Sequence, residues 1–108
     1  MVSILDYFKP RKVVVKLRFY HHGGRKGGCG YYWLARKNGK YLSLEEVGRF
    51  LGKEKVKGKT VWKEMWELPV DIVLIRRHYG WYGCRDREIP LKFIVEGKVK
   101  DSFIEVIK

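Results

Sequence analysis

The stretch Lys12-Val13-Val14-Val15-Lys16-Leu17-Arg18-Phe19-Tyr20 decides how the rest of the chain is read. Val13, Val15, Leu17 and Phe19 alternate with Val14, Lys16, Arg18 and Tyr20. β-Branched and aromatic residues at period two form a half-buried strand. One face of that strand joins a core, and the other carries Lys16 and Arg18 away from it. A sheet is therefore the organising element.

Working outward, His21-His-Gly-Gly-Arg-Lys-Gly-Gly-Cys-Gly30 holds five glycines in ten residues. It predicts a flexible loop whose backbone can approach a ligand closely. Tyr31 to Lys37 predicts a second strand, and Asn38-Gly39 is a type I′ hairpin signal leading to a short return through Tyr41 and Leu42. Ser43-Leu-Glu-Glu46 fits a capping box, with Leu44, Val47, Phe50 and Leu51 at helical spacing and Gly52 as a stop. Lys53 to Lys59 reads as a charged connector.

Thr60 to Leu68 admits two readings. As a helix it has a Thr60 N-cap, an apolar face of Val61, Met65 and Leu68, a Trp62/Trp66 pair and a stop at Pro69. As a strand it puts Val61, Lys63, Met65 and Glu67 on one face and mixes charges of both signs with apolar groups. The helix is preferred. Val70 to Tyr79 predicts a buried strand, Gly80-Trp81-Tyr82-Gly83 a turn, and Glu88 to Val95 with Val99 to Ile107 a closing hairpin around Gly97. The order ββααβββ points to an α+β fold, a mostly antiparallel sheet of about five strands with one or two helices inserted. A chain of 108 residues is one domain, with 11–108 as its body and 1–10 as a separate N-terminal peptide or short helix.

Charge gives the functional direction. From Tyr7 to Leu44 there is no Asp or Glu, yet the net charge of the whole chain is +12. Arg11, Lys12, Lys16, Arg18, Arg25, Lys26, Arg36, Lys37 and Lys40 lie in that acid-free segment. A field of one sign costs self-repulsion and suits a polyanion, above all nucleic acid, whose neutralised phosphates release counterions. Arg76, Arg77, Arg85 and Arg87 form a second basic group that brackets His78, Trp81 and Tyr82. Aromatic rings beside cations are what base stacking requires. Trp33, Trp62 and Trp66 are expected in the core, and Trp81 and Tyr82 at the surface. DNA is favoured over RNA, with an RNA-binding or ribosome-associated protein as the alternative. A helix-turn-helix from Leu44 to Leu68 fits poorly, because the connection is long and Lys63, Glu64 and two Trp make a weak reader of base edges.

Composition excludes other classes. No apolar run approaches the roughly 18 residues of a membrane helix. The N-terminus lacks the basic and apolar regions of a secretory signal, so the cytoplasm or nucleoid is the expected location. The chain has no Gln, one Asn and one Thr beside abundant Lys, Arg and Glu. That composition suits a hyperthermophilic archaeal cell or its virus.

His21, His22 and His78 could serve as acid and base in a small nuclease, with Arg and Lys stabilising the charge. The basic region lacks the paired carboxylates of a metal-dependent nuclease, so an enzyme is the less favoured reading. His22, Cys29, His78 and Cys84 could ligate zinc, although their spacing is not that of a zinc knuckle. A Cys29–Cys84 disulfide and two free thiols are the other options. No other cofactor is implied.

The chain opens Met1-Val-Ser-Ile-Leu-Asp-Tyr-Phe8. At Ile4, Tyr7 and Phe8 this resembles the PCNA-interacting peptide of sliding-clamp-binding proteins, with Met1 where that family carries Gln. The i, i+3, i+4 spacing places three apolar side chains on one face of a single helical turn, a plug for a pocket on the clamp. The resemblance implies clamp binding through Met1, Ile4, Tyr7 and Phe8, and a role in DNA replication or repair. The alternative is a short helix that packs Ile4, Leu5 and Phe8 on the chain's own sheet.

Overall fold

The computed structural model describes residues 11–24, 27–58, 60–80 and 83–107. The Lys12–Tyr20 pattern opens β1 (Lys12–Gly24), which is longer than the alternating stretch alone. It is followed by β2 (Gly27–Lys37), β3 (Lys40–Leu42), α1 (Leu44–Val47), β4 (Arg49–Lys57) and β5 (Val61–Pro69). The chain continues through β6 (Val73–Gly80), β7 (Gly83–Pro90), α2 (Leu91–Val95) and β8 (Ile104–Ile107). The strands form one eight-stranded sheet in the order β4-β5-β1-β2-β6-β7, with β3 paired to β2 and β8 to β1. Every pairing is antiparallel. The sheet is mostly antiparallel with two short helices, as expected, but it holds eight strands in a different order.

β1 is the hub. Along one edge it pairs with β5 from Lys12↔Pro69 to Tyr20↔Val61. It also pairs with β8 over Val14–Leu17 and with β2 over Tyr20–Gly24. Val15, Leu17 and Phe19 point into a single core with Trp33, Ala35, Trp66, Leu68, Leu74, Ile89, Leu91 and Ile104. Burying each large side chain contributes about 1.5–3 kcal/mol.

Four segments depart from expectation. The described residues of the glycine-rich stretch are not loop: they form facing arms of a hairpin, from Tyr20↔Tyr31 to Gly24↔Gly27. The capping box at Ser43 and Glu46 forms, but its helix ends after Val47 at Gly48, whose N–H bonds the Leu44 carbonyl. The chain then extends into β4, so Phe50, Leu51 and residues 53–57 of the expected connector are strand, not helix and linker; Lys59 lies outside the described residues. At Gly48 an added Cβ would stand 2.3 Å from the Glu67 carbonyl oxygen, so only glycine lets α1 turn into the edge of β5.

The segment expected as a helix from Thr60 to Leu68 is instead the strand Val61–Pro69, which also removes the helix-turn-helix reading. Trp62, Glu64 and Trp66 stand opposite Phe19, Leu17 and Val15. The apolar rows of two strands therefore match, and period two wins over the helical pattern. The cost of Glu64 on this face is offset by its neighbours, because Trp62 Nε1 and Trp66 Nε1 both donate to its carboxylate, at 2.8 and 2.9 Å. On the other face the mixed charges are matched by ion pairs, Lys63 with Glu105 and Arg49 with Glu67. The closing hairpin is also absent. Leu91–Val95 is α2, Gly97 follows it at φ 76°, and β8 pairs with β1.

The Asn38-Gly39 turn is as expected, with both residues at positive φ, 52° and 76°. Trp33 and Trp66 are buried in the core and Trp62 is half-buried against it, its ring stacked on Phe19 at 5.6 Å.

Candidate nucleic-acid interface

The β1–β2 and β6–β7 hairpins lie side by side, because Gly30 to Arg36 of β2 pairs with Tyr79 to Val73 of β6. Beyond Val61, β1 has no β5 partner, so this end of the sheet is four strands wide. Register sets which side chains meet, since directly opposed residues share a face. Tyr20 faces Tyr31, Tyr31 faces His78, and His78 faces Arg85. The neighbouring row on the same face is Trp33, Arg76 and Arg87. On the distal side His22 faces Cys29.

The rings in the first row touch. Tyr20 and Tyr31 stack with centroids 5.8 Å apart, and Tyr31 lies 5.1 Å from His78. Phe103, just before β8, joins the rows. Its ring meets Tyr31 edge-on at 4.9 Å and lies 4.1 Å from the Arg76 guanidinium and 6.0 Å from that of Arg18. Arg76 is 5% exposed and grips both oxygens of Asp101 at 2.8 and 2.9 Å. Arg87 reaches the same carboxylate at 3.4 Å. Arg76 Nε also donates to His78 Nε2 at 3.0 Å.

Arg18, Arg76, Arg85 and Arg87 thus lie on one face, where Arg76 and Arg87 share the carboxylate of Asp101, whose side chain is 3% exposed, and Glu105 pairs with Lys63 opposite Arg18. Arg85 is exposed and has no ion pair among the described residues. Arg18 Nε is buried without a hydrogen-bond partner. A shallow cleft of about 310 Å³ lies at the edge of the row, lined by His78, Tyr79, Gly80, Gly83 and Arg85. Titration follows from these neighbours. Burial, then Arg76, lowers the His78 pKa against the opposing pull of Asp101. Loss of solvent raises Tyr31, while Arg18 and Arg76 pull it back.

The opposite face of the same strands is neutralised. Arg77 binds Asp86 through two hydrogen bonds of 2.8 and 2.9 Å and holds that carboxyl below its usual range. Arg36 pairs with Glu88. Tyr32, 39% exposed, and Tyr79 lie beside these pairs, and His21 Nδ1 bonds the Tyr79 hydroxyl.

The acid-free segment of sequence therefore does not become an acid-free surface. Lys16 pairs with Glu54 and Lys37 with Asp71, and Arg36 and Arg77 are tied to carboxylates on the other face. Arg76, expected to meet phosphate, is buried. Arg11 and Lys12 lie at the far end of β1, and Lys40 flanks the Asn38-Gly39 turn. Arg25, Lys26, Trp81, Tyr82 and the Met1, Ile4, Tyr7, Phe8 plug lie outside the described residues. A cleft of about 440 Å³ at the Lys12 end includes Glu46 and Glu67 in its lining, which suits a polyanion poorly.

The histidines do not converge, since neighbours on a strand project to opposite faces and His21 bonds Tyr79 on the side away from His22 and His78. The zinc set is not assembled either. Cys84 stands opposite Tyr79, on the face away from His22, Cys29 and His78, and no group of three or more ligating side chains exists among the described residues. Cys29 and Cys84 are free thiols, not a disulfide. Sequence reading missed Tyr20, Phe103 and Asp101. The β1 alternation signalled Tyr20, but nothing local signals Asp101, which acts through a partner 25 positions away.

No helix of the described residues is long and apolar enough to cross a membrane. No protein-family model, curated protein or solved structure matches this chain.

Proposed function

We propose that this chain is a small basic nucleic-acid-binding accessory protein that holds DNA on the Arg18–Arg85–Arg87 face of its paired hairpins. Its N-terminal peptide recruits it to the sliding clamp PCNA, in DNA replication or repair. One observation carries the binding reading: Arg85 and Arg87 stand exposed beside the ring row, Arg85 with no ion pair among the described residues and Arg87 sharing the buried Asp101 carboxylate with Arg76. Cations so placed repel one another unless a polyanion lies against them. The clamp reading rests on the resemblance at Ile4, Tyr7 and Phe8.

Phosphate binding on this face predicts a steep loss of affinity between about 50 and 200 mM salt. Arg85→Ala with Arg87→Ala lowers the slope of log affinity against log salt by about 2. Anisotropy of a labelled oligonucleotide measures both. A flat slope in the parent protein, or an unchanged slope in the variant, removes the face from the reading, and a preference for RNA of the same sequence transfers it to RNA. A fusion of residues 1–12 binds PCNA and loses binding on Tyr7→Ala with Phe8→Ala; no binding at micromolar clamp ends the recruitment half alone.

A further inference from the structure

We infer that the nucleic acid taken by this face is single-stranded and bound with little regard to sequence, its bases on the Tyr20–Tyr31–His78 row and its phosphates on Arg85 and Arg87. The inference rests on the binding reading above and narrows it.

Width argues first. Four strands at about 4.8 Å spacing present a slab some 14 Å across before side chains are counted. A major groove about 12 Å wide admits a helix or a two-stranded ribbon, but not this slab. The hairpins cannot separate to enter it, because β2 and β6 pair from Gly30↔Tyr79 through Arg36↔Val73. A duplex of undeformed groove width can therefore meet this face only by its backbone.

The rings argue second. Tyr20, Tyr31 and His78 are each half-buried on the cationic face, so part of each residue remains in solvent. Stacked bases inside a duplex cannot reach such rings, and unpaired bases can. The ring row and the Arg76–Arg87 row are two residues apart along each strand, about 7 Å, a distance that a nucleotide's base and phosphate can span.

The third point concerns base edges. Adenine is read in the groove by Asn or Gln. The chain has no Gln, and its one Asn, Asn38, sits in the β2–β3 turn, away from this face. Ring faces stack on any base, so binding through them tolerates sequence.

The test compares a labelled single strand, its unrelated-sequence counterpart and the corresponding duplex at one salt concentration. Expected results are tighter binding of both single strands than of duplex, and quenching of tyrosine fluorescence by the single strand. Tyr20→Leu with Tyr31→Leu loses about tenfold to a hundredfold in single-strand affinity, with the salt slope unchanged. Tyr20→Phe with Tyr31→Phe keeps the rings and the affinity, which separates stacking from a damaged fold. Equal loss in the Leu and Phe pairs, unchanged single-strand affinity in a folded Leu pair, or a parent that prefers duplex overturns the inference while leaving the phosphate face intact. A parent that binds no nucleic acid ends both readings.

Discussion

Asp101 shows how one side chain can decide a surface. Its carboxylate accepts two hydrogen bonds from buried Arg76, meets Arg87, and accepts the Phe103 N–H at 2.8 Å. Removing one partner of a buried pair leaves an uncompensated charge, so Asp101→Ala is expected to cost about 3–5 kcal/mol in chemical denaturation. Arg76→Met with Asp101→Leu is expected to recover most of that loss, since an apolar pair of similar volume avoids the desolvation penalty. A double variant as unstable as the single would mean that the ion pair itself, not the orphaned charge, sets the stability. His78 adds pH dependence. Its folded pKa lies below the ordinary value of about 6.5, so the unfolded chain takes up the proton first as pH falls. The stability it contributes is complete above about pH 6.5 and is lost as pH drops from there through the folded value. Bound polyanion favours the protonated ring, so affinity is expected to rise over the same interval as stability declines. Thermal midpoints and anisotropy in parallel, with His78→Phe as the flat control, check both signs.

Among the elements, the β1–β2 hairpin depends on one close approach. A Cβ at Gly30 would stand 2.1 Å from the Tyr20 carbonyl oxygen, closer than any real contact. Gly30→Ala must therefore push the arms apart just where Tyr20 meets Tyr31. The expected cost is about 1–3 kcal/mol. Amide exchange is expected to quicken over His21 to Gly30 while the Val13–Arg18 amides stay protected; uniform loosening of β1 would contradict this picture. The same hairpin shows what sequence could reveal. Glycines at Gly23, Gly24, Gly27 and Gly28 signal freedom in one chain, but they pair because β1 and β2 were already strands on either side. β1, β2, the Asn38-Gly39 turn and the Ser43 capping box were legible, since each is set by neighbours within a few positions. β5 was not. Its two tryptophans fit a helix face as well as a strand face, and what selects the strand is Phe19, Leu17 and Val15 across the sheet. The closing hairpin failed likewise, because β8 finds its partner in β1 rather than next door.

For the whole molecule, the concentration of positive charge in one third of the sequence did not survive folding as a single surface. Carboxylates from later strands reach back to Lys16, Arg36 and Lys37. What persists is a smaller cluster drawn from β1 and β7, two strands that the sheet order separates by β2 and β6. Charge counting led to the expectation of a polyanion partner without indicating which arginines would be left unpaired. Arg85 and Arg87 belong to the expected set, while Arg76 and Arg77 of that set are each tied to an aspartate. The hub position of β1 has a temporal consequence. During translation β1 leaves the ribosome long before Val61–Pro69 and Ile104–Ile107, the strands that cover its edges. The nascent polypeptide must carry Val15, Leu17 and Phe19 uncovered through most of its synthesis, and such distant pairing folds slowly. The yield of folded protein is therefore expected to respond to slowed elongation more than to any surface substitution.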